Sequence, residues 1–204
     1  RVGGLTIEAI VAVDSPREFR VHPRDRVVAY TAEAAGARQL FTMSLRGTGT
    51  PAIQVTASEK AVSDPQWSPD GRRLAFVRDD EIWIVDADGS RLTRVVARPG
   101  GGTSPRWSPD GHRLAFLSRR RGWSQVWVID APVPRRGRPA RDPRTPEARA
   151  LTPTGKDVDG LTWSPDGRQL AVHGQLRFEA LDTYQVAVVD AEGGPLQVVA
   201  GEDS

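Results

Sequence analysis

Apolar and polar positions alternate along this chain in short runs, and turn-forming residues separate the runs. Three of them, "RRLAFVR", "HRLAFLS" and "RQLAVHG", are rich in alternating apolar positions, as expected of strands with one buried face. Each is followed by a second apolar run, "EIWIVDADG", "QVWVIDAPV" or "QVAVVDAEG", and then by a weaker one. Because no helical period separates them, these runs predict an all-β fold built from short strands.

The runs belong to a repeat that opens with the same turn motif. The sequence "WSPDG" begins at Trp67, Trp107 and Trp163, and a degenerate copy, "VHPRDRVVAY", occupies residues 21–30. The copies start 46, 40 and 56 residues apart, a range that brackets the roughly 40–45 residues of a four-stranded propeller blade. The repeat therefore predicts four consecutive β-propeller blades, at about residues 17–60, 61–100, 101–155 and 156–204.

The motif is typical of a tight turn between the first and second strands of each blade. Proline fixes φ near −65° at the first central position, aspartate suits the next, and glycine accepts a positive φ. We expect each aspartate to cap amides of its own turn, and the large residues to pack between neighbouring blades. The residues assigned to these structural turns are Trp67, Pro69, Asp70, Gly71, Trp107, Pro109, Asp110, Gly111, Trp163, Pro165, Asp166 and Gly167.

Composition narrows the class of protein further. The 204 residues fit one domain, and a hydrophobic content of 38% can supply a core. The 20 glycines and 16 prolines agree with a fold that has many turns. The absence of cysteine excludes a disulfide framework and a thiolate site. No stretch resembles a signal peptide or a membrane span, so we expect no membrane partner.

The succession of "WSPDG", "RLAF" and "IWIVDA" resembles the repeat of TolB-like propellers and of the N-terminal propellers of the prolyl oligopeptidase family. Within that family it is most similar to the acylaminoacyl-peptidase branch. Residues 5–33 resemble the start of such chains, in which a short helix and a linker precede the first blade. With Thr6 as N-cap, this predicts a helix and linker over residues 1–16, the alternative being a short edge element.

The resemblance also implies parts that this chain does not supply. Propellers of the peptidase family usually have seven blades and TolB-like ones six, so four blades would form an incomplete arc. The peptidases carry their Ser-Asp-His triad on a C-terminal α/β-hydrolase domain. The sequences "GTSPR" at Gly102 and "GWSQV" at Gly122 lack the closing glycine of a Gly-x-Ser-x-Gly elbow. We therefore expect no catalytic, cofactor-binding or metal-binding residue here.

An open arc would leave apolar blade faces in water. We therefore expect the chain to be part of a longer protein or to pair with a second copy. The leading hypothesis is a cytoplasmic propeller that admits short peptides to the C-terminal hydrolase domain of the same protein. The alternative is a non-catalytic, TolB-like, protein-binding propeller of the periplasm. A third hypothesis is a self-associating fragment whose dimer closes eight blades.

Two further sets of residues are of types that can bind metal ions. The stretch "DADGS", Asp86–Ser90, hints at a calcium loop, but the following residues offer no further ligands, which favours an Asp-Gly hairpin turn. The three histidines, His22, His112 and His173, have no metal-ligand spacing. Neither motif therefore predicts a metal site.

Arginines cluster at residues 119–121 and 135–144. We expect the two clusters on opposite faces of the disc, because they lie in successive connections of one up-and-down blade. A nucleic-acid interface needs a continuous basic patch with interleaved aromatic residues, so nucleic acid is disfavoured. A docking surface for a subunit or an acidic peptide is the preferred interpretation.

Overall fold

A computed structural model describes residues 15–47, 49–97, 100–132, 147–176 and 184–201. These residues form strands, turns and loops, and none of them lies in a helix. The helix predicted within residues 1–16 falls almost entirely outside the described residues. The described part of the chain has no helix with the length and apolarity needed to cross a membrane.

Sixteen strands form four sheets of four. Sheet 1 contains β1 (Arg17–Val21), β2 (Val27–Ala34), β3 (Ala37–Ser44) and β4 (Ile53–Gln54). Sheet 2 contains β5 (Val62–Trp67), β6 (Arg73–Arg78), β7 (Glu81–Asp86) and β8 (Thr93–Val96). Sheet 3 contains β9 (Thr103–Trp107), β10 (Arg113–Ser118), β11 (Gln125–Asp130) and β12 (Arg149–Ala150). Sheet 4 contains β13 (Asp157–Trp163), β14 (Gln169–Gln175), β15 (Gln185–Asp190) and β16 (Gln197–Gly201).

In every sheet the strands lie side by side in chain order, with antiparallel neighbours. The all-β prediction of four four-stranded units is therefore confirmed. The seven-bladed ring and the division of the chain into blades remain predictions.

The second strand of each repeat supplies the most deeply buried side chains. In β6, Leu74 and Phe76 are fully buried, and Leu114 and Phe116 occupy the same positions in β10. Since successive side chains of a strand point to opposite faces, the alternating pattern buries one apolar row on each face of the sheet. The sequence motif "RLAF" thus marks the central strand that begins at Arg73 in sheet 2 and at Arg113 in sheet 3.

The described chain divides into two compact units, each with its own core. One comprises Arg1–Asp79 and Trp83–Arg94, and the other comprises Asp80–Ile82 and Val95–Ser204. In the first unit, β5 packs against β1, β2 and β3. In the second, β13 packs against β9, β10 and β11. Neighbouring sheets within a unit therefore meet at the first strand of the later sheet.

The first strands carry an irregularity that the sequence pattern did not predict. Glu18, Asp64 and Ser104 adopt positive φ angles of 54°, 49° and 53°. Each precedes the tryptophan position of its repeat by three residues, and Gly160 takes the same place in β13. The pairing register shifts next to each of these four residues. A bulge at this point bends the first strand and sets the direction of its side chains.

Candidate functional site

The turn of the second repeat is closed by a network within the motif itself. The amide of Ser68 donates to the carbonyl of Arg73 (2.9 Å), and the amide of Gly71 donates to the carbonyl of Ser68 (2.8 Å). The hydroxyl of Ser68 donates to Oδ1 of Asp70 at 2.6 Å. The same carboxylate oxygen accepts the amide of Arg72 at 3.1 Å. The carboxylate of Asp70 therefore stabilises its own turn by accepting these two hydrogen bonds.

The third and fourth repeats form the same turn. Ser108 donates to Asp110 at 2.5 Å, and Ser164 donates to Asp166 at 2.6 Å. Hydrogen bonds from these serines are the main cause that lowers the pKa of Asp110 and of Asp166 below the ordinary value of 3.8. At Asp70 burial acts to raise the pKa, but the hydrogen bonds from Ser68 and Arg72 outweigh it, so the pKa is lowered there as well. The three carboxylates are held ionised inside their turns.

Two of the three motif tryptophans, Trp67 and Trp163, join neighbouring sheets. In the first unit, Nε1 of Trp67 donates to the backbone carbonyl of Arg20 in β1 at 3.0 Å. In the second unit, Nε1 of Trp163 donates to the carbonyl of Arg106 in β9, also at 3.0 Å. Arg20 and Arg106 each stand one residue before the tryptophan position of their own repeat. The same hydrogen bond is thus repeated between first strands of successive sheets.

His22 completes this junction in the first unit. Its ring contacts Trp67 edge-on, with centroids 4.8 Å apart. Nδ1 accepts the amides of Arg24 (3.1 Å) and Asp25 (2.8 Å). The proton of the neutral ring must then lie on Nε2, which is 3.0 Å from the carbonyl oxygen of Gly71 and donates to it. His22 therefore links the turns of sheets 1 and 2.

In the second unit Arg113 links two turns as His22 does in the first, but through a cation instead of a neutral ring. Its guanidinium lies 5.0 Å from the centre of the Trp163 ring and donates to the carbonyl of Gly167 at 3.0 Å. It also pairs with Glu192 at 2.8 Å. The imidazole of His22 in the first unit and the guanidinium of Arg113 in the second therefore have equivalent roles. Each packs on the motif tryptophan and donates a hydrogen bond to the glycine carbonyl of the motif turn.

The aspartates that suggested a calcium loop bind protein groups instead. Asp86 accepts Nε of Arg91 at 2.6 Å and also pairs with its Nη2, while Asp88 accepts the amide of Ser90 at 2.9 Å. His112 and His173 are exposed. In the described ranges, no three His, Cys, Asp or Glu side chains are close enough to hold a metal ion.

The serines of the two elbow-like sequences have structural surroundings. Ser124 is buried, and its hydroxyl donates to the carbonyl of Val158 at 2.6 Å. Its amide donates to Asp157 at 2.8 Å. Ser104 lies at the bulge of β9 with a φ of 53°. The hydroxyl of Ser124 is thus tied to β13, which is unlike the exposed nucleophile of a hydrolase elbow.

A polar cluster on the first strands of unit one was missed by the sequence analysis. Glu18 accepts the hydroxyl of Thr31 (2.9 Å) and the amide of Asp64 (3.0 Å). Asp64 accepts Nε2 of Gln66 at 2.9 Å and a guanidinium nitrogen of Arg20 at 3.5 Å. The signal was a polar residue three places before the tryptophan position in three of the four repeats.

Arginine side chains stack on the tryptophans of the third strands. Arg78 lies 3.7 Å from the Trp83 ring centre in β7. In the second unit, Arg120 and Arg121 lie 4.4 and 5.1 Å from the Trp127 ring centre in β11. The sequence did not predict these contacts, because the arginines lie in a turn and Trp127 lies in the strand that follows it.

Comparisons with known proteins agree with this architecture. The family model of the TolB beta propeller domain matches residues 12–200. The Tol-Pal system protein TolB of Thioalkalivibrio sulfidiphilus is 32% identical over 80 residues, which are 37% of this chain and 18% of that protein. A structure assigned as TolB from Agrobacterium tumefaciens is 20% identical and has a TM-score of 0.68, covering 93% of this chain and 68% of that chain.

A peptidase shares the same fold. A puromycin-hydrolyzing peptidase of Mycobacterium tuberculosis has a TM-score of 0.66 at 17% identity, covering 90% of this chain and 31% of that one. At this identity the likeness shows the fold alone, and the acylaminoacyl-peptidase branch stays a prediction. The match over residues 12–200 is decisive for the family: the chain belongs to the TolB beta propeller domain family.

Proposed function

We propose that this chain is a non-catalytic, protein-binding propeller segment of the TolB type. The family match over residues 12–200 supports this, as does the Thioalkalivibrio relative, which is described as a Tol-Pal system protein. If the chain is of the TolB type, we expect its compartment to be the periplasm. The chain covers less than a fifth of that relative's length, so the partners of the whole protein are part of the proposal.

The observation that carries the proposal is how the motif residues are used. The serine and aspartate of each "SPDG" turn bond within that turn, and Trp67 and Trp163 bond to a neighbouring sheet. The repeat therefore builds a rigid scaffold and leaves the connections between strands free to carry specificity. Function on such folds lies in the sites that the scaffold presents.

A second candidate is the propeller of a peptidase, which the likeness to the Mycobacterium tuberculosis enzyme supports. On this reading a C-terminal α/β-hydrolase domain of the same protein carries the triad. The propeller restricts access to it, so that short peptides enter and folded proteins are excluded. The compartment is then the cytoplasm.

Hydrolysis of acetyl-alanyl-p-nitroanilide by the full-length gene product separates the two candidates. The TolB-type proposal predicts a rate equal to that of the buffer blank. The peptidase candidate predicts a rate that a serine-directed sulfonyl fluoride abolishes. Light scattering on the 204-residue protein addresses the third hypothesis, because ring closure by association predicts a dimer and the TolB-type proposal a monomer.

A further inference from the structure

The hairpin between β10 and β11 presents three consecutive arginines on a tight turn. The amide of Gly122 donates to the carbonyl of Arg119 at 2.9 Å, which places Arg120 and Arg121 at the two central positions. Gly122 has a φ of +88°, a conformation that favours glycine. The sequence "RRRG" therefore fixes the direction in which the arginines leave the sheet.

One side of this turn is anchored to the loop that precedes β9. The hydroxyl of Ser118 donates to the carbonyl of Gly100 at 2.6 Å. Nε of Arg120 donates to that hydroxyl at 3.1 Å, and Nη2 lies 3.4 Å from the carbonyl of Gly101. A β-carbon on Gly100 would lie 2.2 Å from Cβ of Arg120, so only glycine allows this approach.

The other side is anchored to β13. Ser124 donates its amide to Asp157 and its hydroxyl to Val158, and the amide of Val158 returns a hydrogen bond of 2.9 Å to the carbonyl of Ser124. The turn is therefore held at both ends before any partner arrives. Such preorganisation lowers the entropic cost of binding.

The positive charge of the turn is not neutralised. Within the described ranges, Arg119, Arg120 and Arg121 form no ion pair, whereas Arg113 and Arg149 both pair with Glu192. Burial and the neighbouring charge of Arg121 lower the pKa of Arg120. Three adjacent cations that form no ion pair are an arrangement that an incoming anion stabilises.

Next to the arginines lie an exposed aromatic side chain and a cleft. Trp123 follows the turn directly and is 41% exposed. A cleft of about 510 Å³ adjoins the hairpin. It is lined by Asp80, Gly100, Gly101, Gly102, Thr103, Leu117, Ser118, Arg119 and Ser124. Arginine and tryptophan are the side chains most enriched among energetically dominant interface residues, and the glycine backbone offers amides and carbonyls to an extended chain.

We propose that the surface formed by Arg119–Arg121, Trp123 and the adjoining cleft, here the arginine hairpin surface, docks an acidic peptide segment of a partner protein. The charge of the turn selects the partner by complementarity, and Trp123 supplies an apolar contact. Trp127, the ring beneath the arginines, is only 4% exposed, so Trp123 is the single ring of this surface on which a base could stack. A protein partner is favoured over a nucleic acid because single-strand binding uses several successive rings along a basic groove. The inference rests on the proposed binding function and names the chemistry of the partner.

The test is fluorescence-polarisation titration of the purified protein with a fluorescein-labelled hexaglutamate peptide carrying one terminal phenylalanine. We expect saturable binding that weakens about ten-fold when salt rises from about 50 to about 300 mM. The double variant R119Q/R121Q should weaken binding about ten-fold or more, and Trp123→Ala about five-fold. Neither variant touches the Arg120 anchor, and circular dichroism confirms their folding.

The matched control is R24Q/R26Q, which removes two exposed arginines from the first turn of sheet 1 and should leave the affinity unchanged. Equal loss in both double variants would overturn the proposal, because attraction would then follow net charge. Tighter binding of a fluorescein-labelled deoxythymidine decamer than of the peptide would also overturn it, in favour of nucleic acid. Peptide binding in a protein that hydrolyses the anilide would refute the TolB-type function and leave the surface in place.

Discussion

The indole Nε1 of Trp67 lies 3.0 Å from the backbone carbonyl oxygen of Arg20, 47 positions earlier in the chain. This bond joins the first strand of sheet 2 to the first strand of sheet 1. It gives the repeated tryptophan a physical role that hydrophobicity alone would not require. A phenylalanine would pack in the same space but would leave the Arg20 carbonyl without this donor.

Replacing Trp67 by phenylalanine should therefore cost more than the same change at Trp83. Both rings are half-buried and lie in the first unit, but Nε1 of Trp83 has no hydrogen-bond partner within the described structure. We expect Trp67→Phe to lower the free energy of unfolding by about 1–2 kcal/mol more than Trp83→Phe, because only the first change removes a hydrogen bond. Urea denaturation measures both, and equal losses would contradict the role assigned to this bond.

The glycine of the motif should be sensitive because of its neighbour as well as its backbone. Gly71 has a φ of +73°, and a β-carbon there would lie 2.0 Å from Nε2 of His22. Gly36 has a φ of +84° with nothing within 4 Å of the same position. Gly36→Ala should cost about 1 kcal/mol from backbone strain, and Gly71→Ala at least about 1 kcal/mol more.

A double-mutant cycle isolates the contact between the two turns. If the extra cost of Gly71→Ala is the collision with His22, then His22→Ala should remove most of it. We expect a coupling of about 1 kcal/mol or more between the two substitutions in thermal unfolding. Simple additivity would show that the imidazole does not restrict this glycine.

The aspartates of the turns should make stability depend on acid pH. The hydroxyl of Ser108 and the amide of His112 lower the pKa of Asp110 below 3.8. A carboxyl group with a lowered pKa in the folded state contributes stability that is complete above 3.8 and is lost as pH falls through the folded value. The Asp110→Asn variant should therefore lose less stability than wild type between neutral pH and acid.

Asp159→Asn is the control for that titration. Asp159 is exposed, and the described structure gives its side chain no hydrogen bond. Its replacement should leave the pH dependence of unfolding unchanged. An identical dependence in all three proteins would contradict the role of the motif carboxylates.

Calcium should leave the protein's stability unchanged. The carboxylate of Asp86 is already occupied by the guanidinium of Arg91, and Asp88 caps the amide of Ser90. A specific site filled at about 100 times its dissociation constant would add about 2.7 kcal/mol. We expect the melting temperature in millimolar calcium to equal that in chelator. A rise of several degrees would show that the loop at Asp86–Ser90 binds the ion.

The sequence predicted the sheets because their determinants are local. Turn residues and alternating apolar runs define β5 to β8 within one repeat, and the same signals recur in the later repeats. The degenerate first copy was also recognised, since His22-Pro23 stands where Ser68-Pro69 stands in the second. The bulges were not predicted, because Glu18 and Asp64 adopt a positive φ although neither is a glycine; only their shared place in the repeat indicates it.

The junctions between sheets were predicted only in outline. That tryptophans pack between sheets follows from their size, but the acceptor on Arg20 depends on how β1 and β5 approach each other. The roles of His22 and Arg113 were not predicted, because two different residue types bind the equivalent glycine carbonyl in the two units. The stacking of Arg120 on Trp127 joins the turn of the hairpin to β11 and depends on the pairing of β10 with β11.

We propose that this propeller binds proteins and does not serve a hydrolase. Intact-mass spectrometry of the full-length gene product, before and after treatment with a fluorophosphonate, distinguishes these two functions. Fluorophosphonates add covalently to an activated serine, such as that of a Ser-His-Asp triad. A non-catalytic, TolB-type propeller predicts an unchanged mass after treatment. A stoichiometric addition to a serine of a C-terminal hydrolase domain would contradict it and establish the peptidase instead.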